Sequence, residues 1–252
     1  MRSILALGMT AAAVASSVLT ALPAQAAGQK VLLRTLVVST GDPATTALAV
    51  ELDREGIPYT RVDLSAATTR PTIDDAFLQD AATGTARFQA VILPNQAGGG
   101  LTAAELTALA TYEAAYGIRQ VNGYDYPGAS MGMAAPTYAG PVDGAPATVT
   151  PAGLAGPFSY LKGSLALDNF DPAVDEIYGY LAGPAASLPA GQTFTPLLTA
   201  TSGSANGVLA GVYAHDNREE LVLPAAFNEY MQWFNEVAPG IVSWATRGIH
   251  LG

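Results

Sequence analysis

The sequence predicts an α/β fold with an open, mainly parallel sheet, and three observations predict it. Residues 32–39, LLRTLVVS, are an apolar run broken only by Arg34-Thr35, the pattern of a strand buried on both faces of a parallel sheet. Gly41-Asp42-Pro43 follows, with Asp42 suited to an N-cap and Pro43 to a first helical position. The helix it opens over 43–55 carries Leu48 and Leu52 on one face and meets a stop signal at Gly56 with Pro58 beyond. Tyr59 to Leu64 then reads as a second strand, which completes a βαβ unit and implies a parallel pair with a crossover.

The later elements extend this unit. Residues 65–86 are polar and small, with a short helical stretch around Ile73 to Leu78. Phe88 to Leu93 is the next buried strand and ends in VILPNQAGGGLTAAE over 91–105. Thr102 and Glu105 form a capping box for a helix over 103–116, which Gly117 ends. Ile118 to Val121 is a short strand leading into NGYDYPG. Residues 124–157, rich in Pro, Gly, Ala and Met, read as an insertion or long surface loop, and Phe158 to Leu167 as a strand. Thr193 to Thr199, Val208 to Ala214 and Glu220 to Leu223 are strand-like, the last two joined by the tight turn His215-Asp216-Asn217-Arg218. Pro224 opens a helical pattern with Phe227, Tyr230, Met231 and Phe234, and Pro239-Gly240 breaks it. The expected core is flavodoxin-like or glutamine-amidotransferase-like, with a C-terminal antiparallel hairpin extension.

Residues 1–26 read as an export signal: Arg2, an uncharged run from Ile4 to Leu22, and Ala24-Gln25-Ala26 as the cleavage pattern. A single secreted domain then spans 27–252, with no later segment apolar enough to cross a membrane. Loss of Arg2 leaves 10 Lys+Arg against 21 Asp+Glu, a formal charge of −11. That excess disfavours nucleic acid and anionic membranes. It suits plain solubility, and also a cationic ligand such as an amino-sugar polymer with free amines.

The chain has no cysteine and only two histidines, His215 and His250. A thiolate nucleophile, a Cys-ligated zinc and a His-rich metal site are therefore excluded. The glycine loop 98–100 lacks the Lys and Ser/Thr of a phosphate loop, and Glu105 would repel a phosphate. No G-x-S-x-G elbow is present, and neither turn serine, Ser39 or Ser130, has an evident histidine partner. Asp74-Asp75, Asp175-Glu176 and Glu219-Glu220 read as solvated or capping pairs. The expectation is thus no catalytic residue, no metal and no cofactor. What remains is a binding surface at the carboxyl ends of the strands. Asp42, Asn95, Gln96, Tyr124, Asp125 and Tyr126 gather there, supplying rings for the C–H face of a sugar and amides and carboxylates for its hydroxyls. The same residue types also dominate ordinary turns.

Several stretches carry a family resemblance. NGVLAGVYAHDNREELVLPAAFNEYMQWFNEVAPGIVSWATRGIHLG, with LRTLVVSTGD, ILPN and YEAAYGIRQVNGYDYP, resembles the N-terminal module of secreted polysaccharide deacetylases, similar to the fungal enzyme acting on galactosaminogalactan. The resemblance covers nearly all of 30–252 as scattered stretches. It implies a non-catalytic carbohydrate-binding module, with polysaccharide as ligand and a metal-dependent deacetylase domain as its neighbour. The metal-binding Asp and His of that domain would lie beyond Gly252. Two alternatives stand beside this. An amidotransferase-like hydrolase with a non-Cys nucleophile would place a Ser or Asp within reach of His215. A structural spacer would leave apolar surface bare around Trp233 and Trp244.

Overall fold

A computed structural model describes residues 29–66 and 68–250, so the export signal expected at residues 1–26 lies outside the described residues. The first unit is strand β2 (Thr35–Ser39), helix α1 (Pro43–Arg54) and strand β3 (Tyr59–Asp63), preceded by the short β1 (Lys30–Val31). All five residues of β2 are buried, as its apolar run requires. Helix α2 (Asp75–Leu78), strands β4 (Gln79–Asp80) and β5 (Thr85–Ala86), and strand β6 (Ala90–Leu93) follow. Helix α3 (Ala103–Tyr116) starts on the Thr102–Glu105 capping box and ends on left-handed Gly117, then leads to β7 (Arg119–Asn122). Glu105 also bonds Arg70 through both carboxylate oxygens, which holds its pKa down to about 2.

Residues 124–157, expected to be an insertion or long surface loop, are structured. They contain β8 (Tyr138–Pro141), β9 (Pro146–Val149) and α4 (Pro151–Ala155). Strands β10 (Ser164–Ala166), β11 (Tyr178–Leu181), β12 (Thr193–Ser202), β13 (Ala205–His215) and β14 (Arg218–Val222) precede helix α5 (Gln232–Ala245). The main sheet runs β10-β9-β12-β13-β14-β7-β6-β2-β3. From β3 to β14 neighbours are parallel, and from β14 to β10 they are antiparallel. The expected hairpin extension is therefore half the sheet, and β14 is its seam, parallel to β7 and antiparallel to β13. The turn from β13 to β14 places Asp216 and Asn217 at φ 46° and 59°, the left-handed pair that Asp and Asn tolerate best.

Side chains alternate along the strands. Val37, Ile92, Val121 and Leu221 face α1 and α5 in one core, with Trp233 and Phe234. Leu36, Val38, Val91 and Leu93 face α2 and α3 in the other. Helices on both faces of one sheet define an α/β layer fold.

Two expectations at the C-terminal part are corrected. The segment 158–167 is not one strand: only Ser164–Ala166 is extended, and Phe158 is a fully buried plug after α4. The last helix begins at Gln232, not Pro224. The Asp168 carboxylate, distant in sequence, accepts from Gln232 N at 2.7 Å and Trp233 N at 3.0 Å and supplies the cap that Met231 lacks. Nor does Pro239 break α5. The Tyr160 hydroxyl donates to Glu236 O at 2.8 Å and accepts from Gly240 N at 3.1 Å, filling the ladder rung next to the proline. Gly240 makes room for this, since a Cβ there would lie 2.6 Å from Pro157 O and Phe158 Cδ1.

Candidate functional site

The carboxyl ends of β2 and β6 lie side by side, with α1 leaving to one face and α3 to the other, so a crevice forms between them. Asp42 stands on its rim. Its carboxylate accepts from Thr45 N at 2.8 Å and Thr45 Oγ1 at 2.7 Å, and from Thr40 Oγ1 at 3.1 Å. Burial raises its pKa, and the bonds from Thr45 and Thr40 more than reverse this, so the net shift is downward. Asp42 is thus occupied as a helix cap. The glycine loop is no slack connection: Gly98, Gly99 and Gly100 all have positive φ. A Cβ on Gly99 would lie 2.7 Å from Pro94 Cγ and 3.1 Å from Thr40 Cγ2, so the loop packs back into the crevice.

The other predicted residues converge one strand further along. Gly123 N bonds Leu93 O and Tyr124 N bonds Pro94 O, and Asp125 N then crosses to Leu223 O beyond β14. Gln96 N donates to Asp125 Oδ1 at 2.8 Å. The Gln96 amide is used by Ser130, donating to its carbonyl at 2.6 Å and accepting from its hydroxyl at 2.7 Å. Asn95 Oδ1 accepts from Gly99 N at 3.3 Å. Gln96 and Asn95 therefore shape the loops, and Asp125 pins them. Asp125 is buried, with Oδ2 lacking a partner. Burial, opposed by the Gln96 bond and assisted by the charge on Glu220, raises its pKa to about 7.

Above Asp125 lies a cluster of four tyrosines. Tyr124 stacks on Tyr180, with centroids 5.6 Å apart and planes 18° from parallel. Tyr126 and Tyr178 meet Tyr180 edge-on at 4.9 and 5.4 Å. Strand β11 carries Tyr178 and Tyr180 there by pairing with residues 224–226: Tyr180 N bonds Pro224 O and Ala226 N bonds Tyr178 O. Tyr126 is 63% exposed and Tyr178 44%. The result is a ridge of rings on a fixed base at the carboxyl edge of the sheet.

Beneath it runs a buried polar network that the sequence reading missed. Glu220, expected to be solvated, is 2% exposed. It accepts from His215 Nε2 at 2.9 Å, from Asn122 Nδ2 at 3.2 Å and from the Arg218 guanidinium. Burial raises its pKa, and the His215 bond and the Arg218 charge outweigh that, so it is lowered overall. Arg218 Nε also donates to Glu113 Oε2 at 2.9 Å. Burial raises Glu113 to about 8 despite Arg218, with Glu220 adding to the rise. His215 is no surface residue: it stacks on Tyr213 at 4.2 Å. Its second nitrogen faces Asp216 Oδ2 at 3.0 Å. The Glu220 bond, against burial and with Asp216 in support, raises its pKa. Carboxylate oxygens face both nitrogens, so the contacts of this imidazole go to Glu220 and Asp216 rather than to a hydroxyl nucleophile. Ser39 Oγ instead meets Thr45, Arg61 and Gly41. Among the described residues, no three His, Cys, Asp or Glu side chains gather in a way that could hold a metal ion. Trp233 and Trp244 are both buried, so they expose no apolar patch.

No protein-family model and no curated protein matches the chain. Among solved structures, the crystal structure of Agd3, a novel carbohydrate deacetylase, is similar with a TM-score of 0.69 at 19% sequence identity. The likeness covers 89% of this chain and 34% of the Agd3 chain. The chain thus spans about a third of that protein. At this identity the likeness shows a shared fold.

The sequence did hold a signal for Tyr178 and Tyr180. EIYGYL alternates tyrosine with a small residue, which puts both rings on one face of a strand. That strand could be placed near Tyr124 only through its pairing with residues 224–226.

Proposed function

We propose that this chain is a secreted, non-catalytic carbohydrate-binding domain for an amino-sugar polysaccharide, acting beside a metal-dependent deacetylase domain. The observation that carries this reading is the tyrosine ridge. Exposed rings backed by other rings offer a flat apolar face for the C–H side of a sugar at little entropic cost. The fold shared with part of a carbohydrate deacetylase supports a role in carbohydrate chemistry. The negative formal charge of −10 supports a polymer bearing some free amines over a polyanion. We also infer a flavodoxin-like or amidotransferase-like ancestry for the parallel half. Its strands, numbered in chain order, lie 2-1-3-4-5 across the sheet.

The test is affinity electrophoresis of the folded protein through gels containing galactosaminogalactan, chitosan or soluble chitin. Retardation on at least one is expected, and the Tyr124→Ala, Tyr126→Ala double variant should lose about 1–3 kcal/mol of binding, as stacked rings do. Free migration on all three polymers removes the proposal.

A further inference from the structure

A second concavity lies at the opposite end of the parallel strands. It is open to solvent, with a volume of about 520 Å³, and lies between the N-terminal ends of β2 and β3 and the small sheet β1-β5-β4. Small-molecule sites run from roughly 300 to 1,000 Å³. Its wall is apolar: Leu32, Leu33, Phe77 and Phe88 line it, with the two phenyl rings 5.5 Å apart. Leu32 is 50% exposed although it belongs to this wall.

The same concavity is lined by Arg34 and Arg87. Neither makes an ion pair among the described residues, whereas Arg54, Arg70, Arg119, Arg218 and Arg247 each do. Arg34 has one long bond, to Thr60 Oγ1 at 3.4 Å. Asp80, held ionised chiefly by Thr83, feels the charge of Arg87 without pairing with it. Lys30 stands close by, since β1 pairs with β5 directly before Arg87. In a chain of formal charge −10, unpaired cations are thus placed beside an exposed apolar wall. A neutral apolar guest would leave both guanidiniums unused, and a small hydrophilic anion would leave Leu32, Leu33 and Phe77 in water. A guest with an apolar body and one anionic head uses both.

We propose that this concavity binds an amphipathic monoanion, a carboxylate on a medium-length alkyl chain, with the head between Arg34 and Arg87 and the chain along Leu32, Leu33 and Phe77. It is independent of the tyrosine ridge, so its failure would leave the sugar reading untouched.

The experiment is a titration of the purified ¹⁵N-labelled chain with decanoate, followed by amide shifts. Decanol supplies the tail without the charge, and acetate the charge without the tail. Saturable shifts confined to residues 32–34, 59–60, 77 and 86–88 are expected with decanoate. Decanol and acetate should bind at least tenfold more weakly. Arg34→Gln with Arg87→Gln changes only exposed side chains and should weaken decanoate about tenfold, the worth of one charge-assisted contact. The proposal is overturned if decanoate gives no saturable shift, if decanol matches it, or if the double variant binds it as well as the parent.

Discussion

Tyr180 is the keystone of the ridge, and replacing it by alanine tests the site more sharply than replacing an exposed ring. The substitution removes three ring pairs at once, with Tyr124, Tyr126 and Tyr178. Each aromatic pair contributes about 0.5–1.5 kcal/mol beyond its buried area. Because the three share one ring, they do not add fully, and a loss of about 2–3 kcal/mol in stability is expected. The effect on binding is indirect. Tyr126, which is 63% exposed, loses the ring that fixes its rotamer, so ordering it must be done by the sugar. That lowers affinity roughly tenfold, equivalent to about 1.4 kcal/mol. Tyr180→Phe keeps all three ring contacts and should keep most of both quantities. Urea unfolding followed by the fluorescence of buried Trp233 and Trp244 gives the stability, and retardation in polysaccharide gels gives the affinity. A folded Tyr180→Ala protein that is retarded like the parent would falsify the ridge as the sugar site. Equal losses for Ala and Phe would show that the hydroxyl, not the ring, matters.

Tyr160→Phe should cost about 1–3 kcal/mol by urea unfolding, because it strands Gly240 N and Glu236 O. Most of that cost should vanish when Pro239→Ala restores a regular helix, and an unchanged cost in the double variant refutes the rung-filling role. Gly99→Ala should destabilise by about 1–3 kcal/mol, as its φ of 65° and the 2.7 Å approach to Pro94 leave no room for a methyl. A thermal midpoint equal to the parent's would show that the loop has slack enough to take a methyl group. Stability should fall as pH rises from about 5 to 8. Burial raises Glu113 to about 8 and Asp125 to about 7, so the folded state holds protons that the unfolded chain has already released. His215, raised by Glu220, acts in the same direction. Glu105 and Glu220, both lowered, act oppositely and give an acid limb below about 4.5. Glu113→Gln should flatten the alkaline slope by up to about 1.4 kcal/mol per pH unit. An unchanged slope between pH 6 and 8 would show that Glu113 does not titrate there.

Local chemistry determined much of this protein from sequence alone. Asp42-Pro43, Thr102 with Glu105, and Gly117 act within one helical turn, so they set the limits of α1 and α3 without help from the rest of the chain. The buried runs at 35–39 and 90–93 declared a parallel sheet, because a strand covered on both faces has no polar side to show. Asp216-Asn217 marked the last hairpin for the same local reason. Tertiary structure decided what depends on distant partners. Helix α5 starts where Asp168 reaches it and survives Pro239 because Tyr160 fills the gap, and neither partner lies within 60 residues of the helix position it serves. Glu220 and Glu219 look alike in sequence, but strand alternation sends one into a buried network and the other to a half-buried pair with Arg119. The candidate site divides along the same line. Tyr124, Asp125 and Tyr126 were legible as a loop after a strand. Tyr180, which holds that loop's rings in place, joins them only because β11 pairs beside the end of β14. That pairing is a long-range backbone contact, which no short stretch of sequence encodes.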